Sequence, residues 1–375
     1  MPNRLAVGFP GAAFLHTHWQ KRRLLVRQAL PQYEQLLTRD ALFAIAGRDD
    51  VVSRLVIRAR GRWKLEHGPF SRRRLARLPT AGWTLLVQGI NHVLPAAQDL
   101  LLEFAFIPYA RLDDVMVSYA PPGGGVGPHF DSYDVFLLQI AGKRRWRVSR
   151  QRDLSLVEGA PLKLLRRFRA ESEWVLAPGD MLYLPPQVAH DGTAISECLT
   201  ASIGFRAPSA QELGTRFLEY LQEELALKGS YRDPDLKQQV RPARIGREML
   251  CKIERMLDNI GWRRADILSF LGRYLTEPKP HVLFRRPPRP LALALFAREA
   301  RRRGVRLALT SLMLFEGQTV FINGERCAVG RAGAGLLTRL ADHRRLAPPL
   351  ALKHEHTRWL YRWYRAGYIE LGAPH

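Results

Sequence analysis

The stretch SYAPPGGGVGPHFDSYDVFLLQIAGKRRWRV, residues 118–148, decides the fold. It opens with a strand-like run, continues through a Pro- and Gly-rich turn into a longer apolar run, and turns again at Gly142 into a further run. Short strands joined by such turns, with no helices between them, are typical of a β-sandwich or barrel rather than a parallel doubly wound sheet. The stretch therefore predicts a mainly β domain.

Residues from about 50 to 206 carry the same pattern. Residues 19–42, which precede this region, look helical or mixed. The strand-like runs are VVSRLVIRA, GWTLLVQGI, DVMVSYA, HFDSYDVFLLQIAG, RRWRVS, EWVLAPGDMLYLPP and CLTASIGFRAP.

The pattern changes at Pro208. Ser209 with Glu212 three residues later forms a capping box that predicts a helix start, and a second helical stretch spans residues 245–275 with a break near Gly261. The Pro-rich segment EPKPHVLFRRPPRPL, residues 277–291, reads as a linker. A small unit with helices and an Asn-Gly hairpin follows. We expect domains at 1–208, 209–276 and 277–375.

A candidate metal site lies at the start of the long apolar run. If this run is a strand, the side chains of His129, Asp131 and Tyr133 share one face, and those of Phe130 and Ser132 share the other. A bare H-x-D pair is more often a polar pair than a ligand set. Here a Gly-rich turn precedes the pair and a strand follows it, which favours metal ligands.

The third ligand is predicted to be His190. It follows APGDMLYLPPQVA, in which a strand ends in a Pro-Pro turn that would place one imidazole at the mouth of a barrel. An H-x-D pair with a distant histidine matches the facial triad of non-haem Fe(II), which leaves coordination positions open for a cosubstrate and dioxygen.

Composition excludes several classes of protein. With 375 residues, 46% hydrophobic and 25% charged, the chain is neither disordered, collagen-like nor a disulfide miniprotein. Cys198, Cys251 and Cys327 form no C-x-x-C pair, which favours a reducing compartment. The first residues lack the order of a signal peptide, and no apolar run reaches the roughly 18 residues of a membrane span. We expect a soluble cytoplasmic protein.

The net charge of +23 is unusual. Such a charge is typical of proteins that bind a polyanionic partner such as RNA or a ribosomal surface. However, only nine of the 58 basic residues are lysines, so 49 are arginines, and this skew is also typical of a GC-rich coding sequence. Both interpretations remain open.

Over nearly its full length, the chain resembles the bacterial ribosomal oxygenases of the JmjC cupin family. The matching segments are WQKRRLLVRQAL, PGGGVGPHFDSYDVFLLQ, GKRRWRV, APGDMLYLPP with His190, and SIGFRAP. The resemblance implies a mixed β and α chain, in which a double-stranded β-helix is followed by a helical dimerisation region and a small winged-helix-like C-terminal domain.

The resemblance also implies roles for individual residues. His129, Asp131 and His190 would be the catalytic Fe(II) ligands, Arg144 would pair with the distal carboxylate of the cosubstrate 2-oxoglutarate, and Ser118 would help to bind it. Arg145 and Arg147, which alternate to the other face, would be surface charge. Ala120 and Thr200 replace other polar residues of the relatives, so the cosubstrate pocket is expected to differ in detail.

The implied reaction is hydroxylation of the β-carbon (C-3) of an arginine in the sixteenth large-subunit ribosomal protein by a homodimeric enzyme. A cationic substrate should meet acidic or aromatic groups, for which Asp113, Tyr133 and Asp134 are candidates. Three alternatives stay open: an RNA- or ribosome-binding protein with an inactive barrel, a hydroxylase of a different protein residue, and a small-molecule cupin enzyme with Zn or Mn at the same ligands.

Overall fold

The structure is a computed structural model that describes residues 4–5, 9–329 and 331–373. No helix in these ranges is both long and apolar enough to cross a membrane. The strands of the N-terminal part are β1 (Arg4–Leu5), β2 (Phe9–Pro10), β3 (Leu24–Val26), β4 (Ser53–Ala59), β5 (Arg62–His67), β6 (Trp83–Val87), β7 (Leu112–Ala120), β8 (Val135–Ala141), β9 (Arg144–Ser149), β10 (Ser172–Leu176), β11 (Met181–Leu184), β12 (Ala189–Ala194) and β13 (Cys198–Phe205).

The helices and the remaining strands complete the architecture. The helices are α1 (Gly11–Thr17), α2 (Arg39–Ala46), α3 (Arg72–Ala76), α4 (Pro95–Leu102), α5 (Ala210–Glu224), α6 (Arg247–Leu257), α7 (Arg264–Thr276), α8 (Leu293–Arg303), α9 (Arg331–His343) and α10 (His354–Ala366). The C-terminal strands are β14 (Val305–Leu307), β15 (Met313–Glu316), β16 (Thr319–Ile322), β17 (Glu325–Ala328), β18 (Arg345–Leu346) and β19 (Ile369–Leu371).

Two antiparallel sheets form the barrel. The larger has the order β3-β11-β8-β13-β7-β6-β4-β5, and the smaller has the order β10-β9-β12. Inward side chains of both sheets line one cavity between them. This is the predicted double-stranded β-helix, and it is followed by helices and the small C-terminal sheets, so the predicted fold class is confirmed.

Alternation along each strand separates two apolar layers. On β8, Phe136 and Leu138 join a core formed with the N-terminal helices, where Phe136 lies 4.7 Å from Phe104 between ring centroids. Val135 and Leu137 instead pack toward the smaller sheet. One face of the large sheet is therefore sealed by helices, and the other faces the cavity.

The prediction that the strand begins at His129 is wrong. β8 starts at Val135, and His129 makes only an isolated bridge with His190. The preceding Pro- and Gly-rich turn holds this segment as a loop, and Phe130 and Ser132 line the same cavity as His129 and Asp131.

The position of His190 also differs from the prediction. It lies inside strand β12, not on a turn after a strand. Sequence patterning missed this strand because its residues, AHDGTA, contain no large apolar side chain.

The helical region agrees with the sequence. The Ser209 hydroxyl accepts a hydrogen bond from the backbone N–H of Glu212 at 3.0 Å, and the break near Gly261 separates α6 from α7. Helix α7 packs on the β15–β17 sheet, where Gly272 lies against the ring of Phe321. The absent side chain at this glycine is what allows the close approach.

We expect Gly272→Ala to lower the free energy of unfolding by about 1–3 kcal/mol, because the added Cβ would lie 2.4 Å from the Phe321 ring. The matched control is Gly214→Ala in α5, where an added Cβ meets nothing within 4 Å and better helix propensity should add up to about 1 kcal/mol. Denaturant unfolding of both variants checks this. Equal stability of the two variants would contradict the close packing of Gly272 against Phe321.

Candidate functional site

A cavity of about 520 Å³ lies between the two sheets. Its walls are inward positions of β6, β7, β8, β9, β12 and β13, together with the loop that precedes β8. The barrel therefore encloses an open space, lined by both polar and apolar side chains, rather than a filled core.

His129, Asp131 and His190 meet at this cavity. One candidate ligand atom from each lies within 4.8 Å of the others. The backbone brings them together: the N–H of His129 donates to the carbonyl of His190 at 2.9 Å, and the N–H of His190 donates to the carbonyl of His129 at 2.8 Å. The two predicted histidines are thus paired directly, and Asp131 follows two residues later.

Both imidazoles are oriented by backbone carbonyls. Nδ1 of His129 lies 2.8 Å from the carbonyl of Gly127, and Nδ1 of His190 lies 2.9 Å from that of Val188. A carbonyl can only accept, so each Nδ1 carries a proton, and in a neutral ring of this tautomer Nε2 keeps its lone pair. The rings present the nitrogen that a metal needs.

The electrostatics of His190 favour the same state. Burial, followed by the neighbouring His129, lowers its pKa to about 4, although Asp131 opposes the shift. Its Nε2 lies 3.7 Å from Oδ2 of Asp131. A neutral imidazole beside a carboxylate is ready to bind a cation without first losing a proton.

This donor set fits a divalent transition metal. Two imidazole nitrogens and one carboxylate oxygen are the ligands of non-haem Fe(II) sites, and Zn or Mn can use the same atoms. The Asp131 side chain is 24% exposed and lines the cavity. Space therefore remains beside the three ligands for further groups.

Arg144 is buried in the cavity wall at 4% exposure. Its Nη1 donates to the Ser118 hydroxyl at 3.1 Å, whereas Nε and Nη2 have no hydrogen-bond partner and no described carboxylate pairs with it. A buried guanidinium with open donors is costly unless an anion meets it. The cavity thus contains a ready site for a carboxylate.

Ala120 and Thr200, the two positions expected to differ from the relatives, lie outside the cavity lining. The Thr200 hydroxyl donates to Gln139 at 2.9 Å, and Ala120 packs in a small apolar cluster with Ala194 and Cys198. Neither Thr200 nor Ala120 lines the cavity. They therefore alter the support of the pocket rather than its lining.

Arg145 and Arg147 point away from the cavity, as the alternation along β9 predicts. The guanidinium of Arg147 pairs with Asp191 on the neighbouring strand. It is thus a partnered structural charge and not a free surface one.

Of the candidate substrate residues, Tyr133 and Asp113 line the cavity and Asp134 does not. Asp134 is fully buried and accepts hydrogen bonds from Tyr183 at 2.6 Å and Gln20 at 2.9 Å. Tyr183 belongs to the helix-covered core, so the expectation for Asp134 is wrong. Its side chain supports the sheet from behind.

Sequence reasoning missed Asp114, which is buried and lines the cavity. The signal was available, because alternate residues back from Ser118 along β7 are Met116 and Asp114, and all three line the cavity. Two further polar atoms in the cavity lining, Thr84 Oγ1 and Trp146 Nε1, are buried without hydrogen-bond partners. No pattern in the sequence indicated them.

Comparison with known proteins identifies relatives along the whole chain. A family model describing a JmjC domain matches residues 99–213, and one describing a ROXA-like winged helix matches residues 255–370. The ribosomal protein uL16 3-hydroxylase of Escherichia coli K12 is 34% identical over 332 residues, which is 87% of each chain. A probable ribosomal oxygenase of Haemophilus influenzae is 40% identical over 205 residues, or 53% of this chain and 50% of that relative.

Solved structures show the same fold over nearly the whole chain. The X-ray structure of E. coli YcfD superposes with a TM-score of 0.86 at 29% identity, covering 98% of this chain and 99% of that one. A structure of YcfD, a ribosomal oxygenase from E. coli, in complex with cobalt and 2-oxoglutarate, gives a TM-score of 0.83 at 28% identity, covering 99% of this chain and 100% of that one.

Proposed function

This chain belongs to the JmjC-domain ribosomal oxygenases, and from that premise we propose that it is an Fe(II)- and 2-oxoglutarate-dependent enzyme that hydroxylates C-3 of an arginine in ribosomal protein uL16. The observation that carries the proposal is the convergence of His129, Asp131 and His190 in one cavity with the unpartnered guanidinium of Arg144. The 34% identity to the E. coli uL16 3-hydroxylase supports the choice of substrate.

His129, Asp131 and His190 would hold the iron. When bound, Fe(II) with 2-oxoglutarate and dioxygen supplies the oxidising chemistry that turns a C–H bond into C–OH, with succinate and CO₂ as the other products. The chain fixes the orientation of both imidazoles through their Nδ1 hydrogen bonds. The apolar layer between the sheets excludes water from that side of the cavity.

Arg144 and Ser118 would hold the far carboxylate of 2-oxoglutarate. The open Nε and Nη2 donors of Arg144 give a planar fork that matches a carboxylate, and the Ser118 hydroxyl keeps the guanidinium in place. The Arg144 guanidinium would thus neutralise the far carboxylate of the 2-oxoglutarate dianion inside the partly dry barrel.

The substrate side chain would bind beside the acidic residues of the cavity lining. Asp113 and Asp114 supply carboxylates and Tyr133 an aromatic ring to the lining. These groups suit a cationic side chain with an apolar stem, such as arginine.

We place the catalytic domain at residues 1–208, a helical region at 209–276 and the C-terminal unit at 277–375. The winged-helix match begins at residue 255, and α7 lies against the C-terminal sheet, so α7 joins the two latter parts. With a ribosomal protein as substrate, the cytoplasm is the proposed location.

The helical region would form a homodimer interface. Large apolar side chains on and beside α5, α6 and α7 remain exposed, with Leu218 at 65%, Leu257 at 56% and Trp262 at 53%. Several large apolar side chains exposed on neighbouring helices are typical of a protein–protein interface. A second copy of the chain would cover it, because each copy offers the same apolar face.

The direct test is hydroxylation of uL16 peptides that together span each of its arginines. With Fe(II), ascorbate and 2-oxoglutarate, the protein should add the mass of one oxygen atom to one arginine, and tandem mass spectrometry should place it on C-3. His129→Ala should abolish the product because one metal ligand is lost, whereas His67→Ala, an exposed histidine on β5, should leave it unchanged.

Other results of this assay would point to the alternatives. A product on another residue type would overturn the arginine assignment. Absence of turnover, together with salt-dependent RNA binding that persists in His129→Ala, would favour a binding protein with an inactive barrel.

The variant Arg144→Met should weaken the apparent affinity for the cosubstrate, raising its KM by roughly ten- to a hundred-fold, since a charged hydrogen bond contributes about 1.5–3 kcal/mol. Arg145→Met is the matched control, because its side chain lies on the opposite face of β9 and outside the cavity. Steady-state kinetics at saturating peptide and varied 2-oxoglutarate measures both. An unchanged KM for Arg144→Met would rule out its role in cosubstrate binding.

Light scattering should give twice the chain mass of 42.8 kDa. The double substitution Leu250→Asp and Leu257→Asp in α6 should produce a monomer, because two charges would enter the interface. Leu283→Asp, at an exposed position outside the helical region, should remain a dimer. A monomeric wild-type chain would exclude this interface.

A further inference from the structure

A cation from outside the barrel reaches the acidic side of the cavity. Nζ of Lys279, in the segment between α7 and α8, lies 2.8 Å from Oδ1 of Asp113 and 3.6 Å from Oδ2 of Asp114. The Lys279 side chain is 34% exposed, so most of it is removed from water. The contact joins the approach to the C-terminal unit with strand β7.

Lys279 does not occupy the substrate's place. It lines a separate cavity of about 70 Å³ together with Asp113 and Arg206. Asp114 lines only the larger cavity with the candidate metal ligands, and Asp113 lines both. The ammonium therefore approaches the two carboxylates from behind, and the large cavity stays open.

Asp114 needs such a partner to remain an anion. Burial raises the pKa of its carboxyl, Lys279 opposes that rise and Asp113 adds to it. A protonated Asp114 would lose its attraction for a cationic side chain.

Besides Lys279, the backbone N–H of Gly89 also stabilises the Asp114 carboxylate, but it carries no net charge. Among the residues that the structure describes, Lys279 is the only cation within 4 Å of the Asp114 carboxylate, whereas Asp113 also has Nε of Arg206 at 3.5 Å. The nearby imidazoles do not substitute, because burial and Lys279 lower the pKa of His92 to about 4 and also lower that of His281.

We propose that Lys279 is a positioning residue that holds Asp114 ionised and oriented toward the cavity, so that recognition of a cationic substrate side chain depends on the segment leading into the C-terminal unit. The inference rests on the proposed function and adds to it a determinant outside the barrel. It also gives the C-terminal part of the chain a role in substrate choice.

The test compares Lys279→Met with Arg285→Met in the full-length protein. Arg285 is the matched control: it lies in the same segment, and its Nη2 is 3.7 Å from Asp50 at a different cavity. Both variants are assayed with a uL16 peptide and with the same peptide carrying citrulline, the uncharged analogue, in place of the target arginine.

For Lys279→Met, the KM for the arginine peptide should rise about ten-fold, while kcat and the KM values for the cosubstrate and for the citrulline peptide stay near wild type. Lys279→Arg should restore recognition because it keeps the charge. Arg285→Met should match wild type throughout.

An unchanged or lower KM for the arginine peptide would overturn the proposal, and so would equal losses on both peptides, which would indicate a merely structural role. Wild-type protein that turns over neither peptide would refute the proposed function instead. Calorimetric binding of the arginine peptide to cobalt- and 2-oxoglutarate-loaded protein then tests Lys279 independently. The same ten-fold loss of affinity would support its role, and equal or absent binding in wild type and variant would exclude it.

Discussion

The site depends on two backbone hydrogen bonds between His129 and His190, at 2.9 and 2.8 Å. They tie a loop with no regular structure to strand β12, and without them the H-x-D segment would have no fixed register against the third ligand. The loop reaches this position because Gly127 has a positive φ of 79°, and a Cβ there would lie 2.6 Å from Leu164. The carbonyl of that same glycine then orients the His129 ring.

Around this centre, the cavity lining carries charges of both signs. Arg144 contributes a guanidinium with two unpartnered nitrogens, and Asp113 and Asp114 contribute carboxylates. The two carboxylates are paired with Lys279 and, for Asp113, also with Arg206, whereas the open donors of Arg144 do not favour stability, because a buried charge without partners is costly. Together they suit two reactants of opposite charge, a dicarboxylate that lies deep in the barrel and a cationic side chain that enters beside the acidic pair.

The sequence predicted the architecture well because alternation and turn residues are local signals. It placed most barrel strands, the Ser209 helix cap and the Asn323-Gly324 hairpin, whose φ values of 49° and 84° fit its turn. It failed where tertiary contacts decide: the loop before β8 resembles a strand in composition, and β12 lacks large apolar residues. The ion pair of Lys279 joins residues far apart in the chain, which no local pattern can reveal.

The arginine excess also takes on a different meaning in the structure. Several guanidinium groups bind backbone carbonyls where segments meet: Arg303 donates to Gly372, and Arg344 donates to Ser311 at 2.9 Å and Ala308 at 3.1 Å. Burial lowers the pKa of Arg344 to about 10, which leaves it charged at neutral pH. A planar fork can satisfy two carbonyls at once, as an ammonium on a flexible stem cannot with the same geometry. Part of the positive charge therefore has a structural use that requires no nucleic acid.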